Sequence, residues 1–385
     1  MKRSTLSQPF ILSIIQFGVA FALSSVIVSL PFYVSTISIY SPEETLLWIG
    51  FIVASSNIGA AIFSPLWGKL SSKFSHKTLY QRGILSHAVL LFAMGFTHNL
   101  PLLLLLRTLQ GVFGGISTIG LIMLKQILPE EMLSSGIGKF QSSITIGQLC
   151  GPAVGAYVAS VYGFRIFFIF ASSVIFLIFI VTVFFLENTK TALSHEASAQ
   201  KSNKRFFVLW FLSMSATVQA VFFPAILPDI LRYFNVELKT AVMTAGWIVF
   251  AYGISSALGA YFLPPFLSRL NSYSAIMLLG LLSSFFQLMH IEAGSIPLLV
   301  LFRIIQTFFA AAIMPLCISV VASKGSGTSI GIINTARFTG NACGPLIATG
   351  ILSLANEQTV YLAVTLLSII PLFFLKDRAR HEKSV

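Results

Sequence analysis

The sequence predicts an all-α membrane protein with twelve transmembrane helices in two pseudo-symmetric six-helix bundles. Composition, a succession of long apolar runs and an internal repeat carry that prediction. Of 385 residues, 56% are hydrophobic and 9% charged, and the mean hydropathy is +0.89. A soluble globular protein carries about 25% charged residues, so the solvent this chain expects is lipid. A spanning helix takes about 20 residues, so twelve use roughly 240 and leave roughly 145 for eleven short loops and two tails. A soluble enzyme, a single-pass receptor and a secreted protein are excluded. The 24 Lys+Arg outnumber 12 Asp+Glu, but they form no basic stripe in soluble folded sequence, so nucleic acid is not the expected partner. Cys150, Cys317 and Cys343 lie inside apolar runs and give no disulfide framework.

The first apolar run, Phe10–Val34, carries no charge. It is longer than the 7–15-residue apolar core of a secretory signal and reads as a retained first helix. Runs of similar character follow at Leu46–Trp67, Leu79–Thr97, Leu100–Leu124, Phe140–Val161 and Ile166–Leu186. Six more lie at Phe206–Leu231, Ala241–Leu263, Ser272–His290, Pro297–Val321, Ser329–Leu354 and Thr359–Leu375. Between the two sets, Glu187–Arg205 collects charged and small polar residues and reads as a cytoplasmic linker. The expected domains are therefore a bundle at 1–186, a linker at 187–205 and a second bundle at 206–385.

Basic loops resist translocation, so Lys and Arg set the orientation. With the N-terminus in the cytoplasm, the 24 basic residues divide into three outside (Arg165, Arg232, Lys239), three deep within spans (Arg107, Arg303, Arg337) and the remaining 18 inside. Both termini are then cytoplasmic, and the inner (cell) membrane is the expected location. The +12 net charge is the positive-inside bias.

The halves repeat. "RTLQG" at Arg107–Gly111 is echoed by "RIIQT" at Arg303–Thr307, an offset of 196, and "GQLCGP" at Gly147–Pro152 by "GNACGP" at Gly340–Pro345, an offset of 193. Parallel six-helix repeats around a central cavity suit alternating access by rocking one half against its twin.

Three motifs resemble those of the major facilitator superfamily, and within it the drug:proton antiporters with twelve helices. After the second span, Gly68, Leu70, Lys73 and Lys77 match the family's G-x-L-x-D-R-x-G-R-K, while Ser72 replaces its aspartate and Ser75 its second glycine. On the fourth span, Arg107, Gln110 and Gly111 are similar to R-x-x-Q-G-x-G, with Phe113 at the last glycine. On the fifth, Gly147, Gly151, Pro152 and Gly155 resemble G-x-x-x-G-P-x-x-G-G, with Ala156 at the final glycine; Gly344 and Pro345 repeat the pair in the second half. The resemblance implies export, with the fifth-span motif setting a bend at the junction of the halves. The alternative for that motif is packing alone, and for the loop motif the anchoring of a hairpin.

No acid lies inside the first six spans, which leaves Asp229, near the end of the seventh, as the candidate intramembrane carboxylate and proton carrier; His87 is titratable too. Arg107 either faces the cavity in coupling or anion attraction, or satisfies backbone carbonyls and braces its helix. Arg337 lies three residues after Asn334 and four before Asn341, making a polar stripe; Gln141, Thr145 and Gln148 make the corresponding one on the fifth span. Arg107, Arg303 and Arg337 without a central acid predict a positive cavity that favours anions, unless backbone carbonyls neutralise them. No phosphate loop, metal cluster or Ser/His/Asp set appears, so no enzyme, metal or cofactor is expected. The expectation is a monomeric secondary transporter that exports a small amphipathic or anionic molecule, such as a drug, organic acid or siderophore, in exchange for protons. The rivals are uptake of an anionic nutrient and a membrane sensor or enzyme that kept the carrier fold.

Overall fold

The computed structural model describes residues 7–71, 73–188, 204–267, 269–322 and 327–379. Among these the chain is helical throughout: α1 (Ser7–Ile37), α2 (Pro42–Leu70), α3 (His76–Met94), α4 (Leu100–Val112), α5 (Ile116–Ile127), α6 (Glu130–Tyr162), α7 (Phe164–Phe185), α8 (Lys204–Val221), α9 (Phe223–Tyr233), α10 (Leu238–Phe266), α11 (Ser272–Met289), α12 (Ile296–Ala310), α13 (Ile313–Ala322), α14 (Gly327–Leu352) and α15 (Glu357–Ala379), with a 3₁₀ turn at His290–Glu292. In lipid each backbone polar group needs an internal partner, which the helix supplies within one segment. Ten of the described stretches are long and apolar enough to cross a membrane. The two predicted spans outside that set have a polar reason. α3 opens on His76, Lys77, Gln81 and Arg82, and α14 carries Asn334, Arg337 and Asn341.

Three predicted spans are broken, which the continuous apolar pattern does not announce. The fourth divides into α4 and α5 at Phe113–Gly115, where Gly115 takes the left-handed φ of 87° that glycine adopts without a Cβ penalty. The seventh divides into α8 and α9 at Phe222, just before Pro224, and the tenth into α12 and α13 at Ala311–Ala312.

The described residues form two compact units. Unit 1 lies within Met1–Ser38, Ser55–His195 and Leu238–Trp247; unit 2 lies within Ile39–Ala54, Glu196–Glu237 and Ile248–Val385. Inside unit 1, α1 crosses α6 so closely that a Cβ on Gly151 would meet the Phe21 carbonyl and stand 3.0 Å from the Ser25 nitrogen. Inside unit 2, a Cβ on Gly344 would stand 3.5 Å from the Val218 oxygen and 3.4 Å from the Phe222 nitrogen. Phe21 and Ser25 become Val218 and Phe222, a shift of 197, while Gly151 becomes Gly344, a shift of 193. The duplicated motif thus occupies the same helix crossing in each unit. Leu209, Leu212, Ile276, Leu279, Ile313 and Cys317 fill part of unit 2's apolar core. Outward phenylalanines such as Phe10, Phe184, Phe266 and Phe373 suit contact with lipid chains.

Candidate transport site

In unit 1, Arg107 is 8% exposed, and its Nη1 donates to Gln110 Oε1 at 2.5 Å, one turn along α4. Gln110 is buried, and its Nε2 has no acceptor among the described residues. Gly111 lets α2 approach, because a Cβ there would strike the Ser56 carbonyl. His87, on α3, is buried within the field of Arg107 and Arg82, with its ring near the Gly83 backbone one turn back. Below them lies a clamp on the α4–α5 break. The Arg82 guanidinium stacks 3.4 Å from the Trp67 ring centre and donates to the Gly114 carbonyl at 3.1 Å, while Trp67 Nε1 donates to the Val112 carbonyl at 2.8 Å. These carbonyls belong to the end of α4, where orphan acceptors need partners and a cation is favoured.

In unit 2, Arg303 is fully buried. Nη1 donates to Gln306 Oε1 and Nη2 to the Ala220 carbonyl, both at 2.9 Å. The chain of bonds continues from Gln306 Nε2 to Gln219 Oε1 and from Gln219 Nε2 to Ser368 Oγ, each 2.5 Å. Phe222, Phe223 and Tyr252 place their ring centres 4.7–5.0 Å from the guanidinium carbon. The freed carbonyl of Ala220 exists because α8 ends at Val221, so the arginine serves the α8–α9 break as Arg82 serves the α4–α5 break.

The polar stripes lie elsewhere. Gln141, Thr145 and Gln148 are exposed along one face of α6. On α14, Arg337 is exposed with its guanidinium carbon 5.5 Å from the Phe338 ring centre, and Asn341 is half-buried. The Asn334 side chain lies outside the described residues. At the shift of 193, Gln141 corresponds to Asn334, Gln148 to Asn341 and Ile144 to Arg337. An amide or guanidinium on a spanning helix requires water or a polar partner, so each unit presents one face suited to a polar solute.

Asp229 is ion-paired with Arg232 one turn along α9; their side chains are 14% and 69% exposed. Gly68 lies in the last turn of α2, and Lys73 is exposed in the turn that follows. Ser72 lies outside the described residues. Lys77 caps α7, its Nζ donating to the Val183 carbonyl at 3.0 Å. α6 continues unbroken through Pro152. A Cβ on Gly147 would stand 2.6 Å from the Phe17 oxygen, and one on Gly155 2.9 Å from that of Ser25. Pro345 accepts from Thr349 Oγ1 at 2.9 Å through its carbonyl. Sequence reasoning misses Gln219, Tyr252, His290, Tyr361 and the Arg82–Trp67 stack. Gln306 was in reach, since it repeats Gln110 in the echoed "RIIQT".

A duplicated, multi-pass helical membrane protein with an exposed polar stretch on one helix of each unit fits a carrier class. The family model described as Major Facilitator Superfamily matches residues 12–223 and 205–385, and the chain belongs to that superfamily. It is 24% identical over 356 residues to the multi-drug resistance efflux pump PmrA of Streptococcus pneumoniae, spanning 90% of this chain and 89% of that one. It is 25% identical over 390 residues to the Staphyloferrin B transporter of Staphylococcus aureus, spanning 95% and 91%. A match to the multidrug resistance protein MdtG of Proteus mirabilis is 29% identical but spans 60% of each chain. Among solved structures, the nucleoside transporter NupG superposes with TM-score 0.74 at 17% identity over 96% of this chain and 98% of that one. The human organic anion transporter MFSD10 does so at 0.68 and 17%, over 97% and 100%. The chain is a multi-pass secondary transporter of small molecules, not an enzyme.

Proposed function

We propose that the chain is a proton-coupled exporter of small amphipathic or anionic molecules, working by alternating access. Its twelve spans would form bundles at 1–186 and 206–385, joined by a linker at 187–205, in the inner membrane with both termini cytoplasmic, as a monomer. The observation that carries the substrate class is Arg337, an exposed guanidinium on a spanning helix with Asn341 one turn on and no acid on that helix. A charge at mid-bilayer costs at least about 2.5 kcal/mol on insertion scales, a cost that a role in transport would explain. Relatives named as efflux pumps and as a siderophore transporter support export. The test is wild-type protein in inverted membrane vesicles, with an imposed pH gradient and a panel of anionic, neutral and cationic dyes. Gradient-driven accumulation of the anions is expected; accumulation of lipophilic cations alone would overturn the substrate class, and movement in the opposite direction would overturn export.

A further inference from the structure

α3 and α7 lie side by side in unit 1, and Ser172 Oγ donates to the Ala88 carbonyl at 2.8 Å where they touch. Small side chains at Ala88, Ser172 and Ser173 leave a groove of about 480 Å³ between the two helices, walled by Phe92, Phe176 and Leu177. These walls are 49%, 47% and 61% exposed. On spanning helices an exposed apolar surface faces acyl chains, so the groove opens to the bilayer.

The groove has a charged head. α3 finishes at Met94 and α7 begins at Phe164. The two ends meet, because a Cβ on Gly95 would stand 3.2 Å from the Arg165 oxygen and 3.0 Å from Phe168 Cβ. The Arg165 guanidinium carbon sits 4.4 Å from the Phe96 ring centre, and the Phe96 and Phe92 ring centres are 4.9 Å apart. Spacings of seven and eleven place Arg165, Ser172 and Phe176 on one face of α7, as a spacing of four does Phe92 and Phe96 on α3. From Arg165 to Leu177 the helix rises roughly 18 Å at about 1.5 Å per residue. That is close to half of the roughly 30 Å hydrocarbon core, so the groove matches one chain of one leaflet with a cation at headgroup level.

The other unit is built differently at this place. The shift of 193 relates the first residues of α7 and α15, Phe164 and Glu357. At that shift Arg165 becomes Gln358, and at the shift of 196 Phe96 becomes Glu292. A carboxylate there repels a phosphate, whereas the guanidinium of unit 1 attracts one.

We propose that the α3–α7 groove holds a resident anionic glycerophospholipid, its phosphodiester on Arg165 and one acyl chain along Ala88, Ser173 and Phe176. The Phe96 ring covers one face of the guanidinium, and its N–H edge is the part that pairs with phosphate oxygens. An anionic head is favoured over a zwitterionic one, because a choline group brings a second cation to the arginine. Occupancy is independent of the direction and coupling of transport.

The test is native mass spectrometry of the full-length protein in detergent, titrated with phosphatidylglycerol or phosphatidylcholine. Phosphatidylglycerol should be retained at lower concentration. Arg165→Gln should cut that retention about fivefold or more, the factor for about 1 kcal/mol, and Arg165→Lys should restore most of it. Ser173→Phe fills the groove and should also lose the lipid, while Leu366→Phe at the equivalent place on α15 should not. Thermal melts establish that each variant is folded. Independently of any variant, phosphatidylglycerol carrying a diazirine in its acyl chain should label α3 and α7 of the wild-type protein. Equal labelling of α11 and α15, or equal retention of the two lipids untouched by Arg165→Gln, would show ordinary boundary lipid and overturn the proposal. A dimer that Ser173→Phe breaks, in place of lipid adducts, would overturn it too.

Discussion

Arg107 and Arg303 occupy equivalent places in the two units and both are buried, yet the groups around them differ. Each donates to a glutamine three residues on. Arg303 also donates to the Ala220 carbonyl on a neighbouring helix and lies among three rings. The helix crossing beside them differs in the same direction. Where unit 1 has Gly111 against the Ser56 carbonyl, unit 2 has Thr307, whose hydroxyl stands 3.3 Å from the Tyr252 carbonyl. Where unit 1 has Gly59 at the Thr108 oxygen, unit 2 has Ser255 donating to the Ile304 oxygen at 2.7 Å. The residues correspond at the shift of 196 in each case. One unit joins these helices by close backbone approach, the other by side-chain hydrogen bonds. After duplication the crossing was kept while the chemistry holding it diverged.

The largest effect should come from Arg303. Arg303→Leu leaves the Ala220 carbonyl and Gln306 Oε1 without their donor in a dry cluster, at about 1–3 kcal/mol for each stranded group. The folded yield in detergent should collapse, and the melting temperature should fall further than for Arg107→Leu. Equal losses in the two variants would erase the contrast between the units.

The crossings come next. Gly111→Val drives two methyl groups toward the Ser56 carbonyl, and overpacking of that kind costs about 1–3 kcal/mol. Thr307→Val keeps the shape and removes one hydroxyl, at about 1 kcal/mol. Paired thermal melts measure the difference, and a larger loss for Thr307→Val would show that the hydroxyl, not the fit, holds unit 2.

A smaller effect is expected at the clamp on the α4–α5 break. Trp67→Phe keeps a ring beneath Arg82 but removes the donor to Val112, for about 1 kcal/mol. The equivalent residues of unit 2 are Leu263 and Leu278, so Leu263→Phe should leave the break at Ala311 undisturbed by loss of any bond. Amide exchange at the two breaks would compare them, with faster exchange expected only at Gly114 and its neighbours.

What the sequence makes legible follows its periodicities. The stripe of Gln141, Thr145 and Gln148 reads directly, since spacings of four and three fix one helical face and polar residues contrast with an apolar helix. The burial of Arg303 does not read that way, because α12 is apolar on nearly every side and gives no contrast between a core face and a wet one. Its neighbours Phe222, Tyr252 and Tyr361 come from three other helices. The Arg82–Trp67 stack is hidden for a similar reason: its partners face one another across a hairpin. The breaks are masked by continuous hydrophobicity, although Gly114, Gly115 and Pro224 mark two of them.

Arg337 provides the smallest stability effect and the sharpest functional contrast with Arg303. It is exposed on α14 beside Phe338. Arg337→Gln retains hydrogen-bonding capacity, removes the charge and makes the α14 face resemble the uncharged α6 face of unit 1. Stability should change by about 0.5 kcal/mol or less, as for other exposed substitutions. The effect on transport should depend on the solute. In water the attraction of one guanidinium for a carboxylate is about 1 kcal/mol at 4 Å, and in a less polar site it is larger. Anionic dyes should therefore lose about tenfold or more in vesicle accumulation, the scale of about 1.4 kcal/mol, while neutral dyes change little. Equal loss for all dyes would make Arg337 a brace like Arg303. A preference for lipophilic cations that the substitution leaves untouched would remove the arginine from substrate selection.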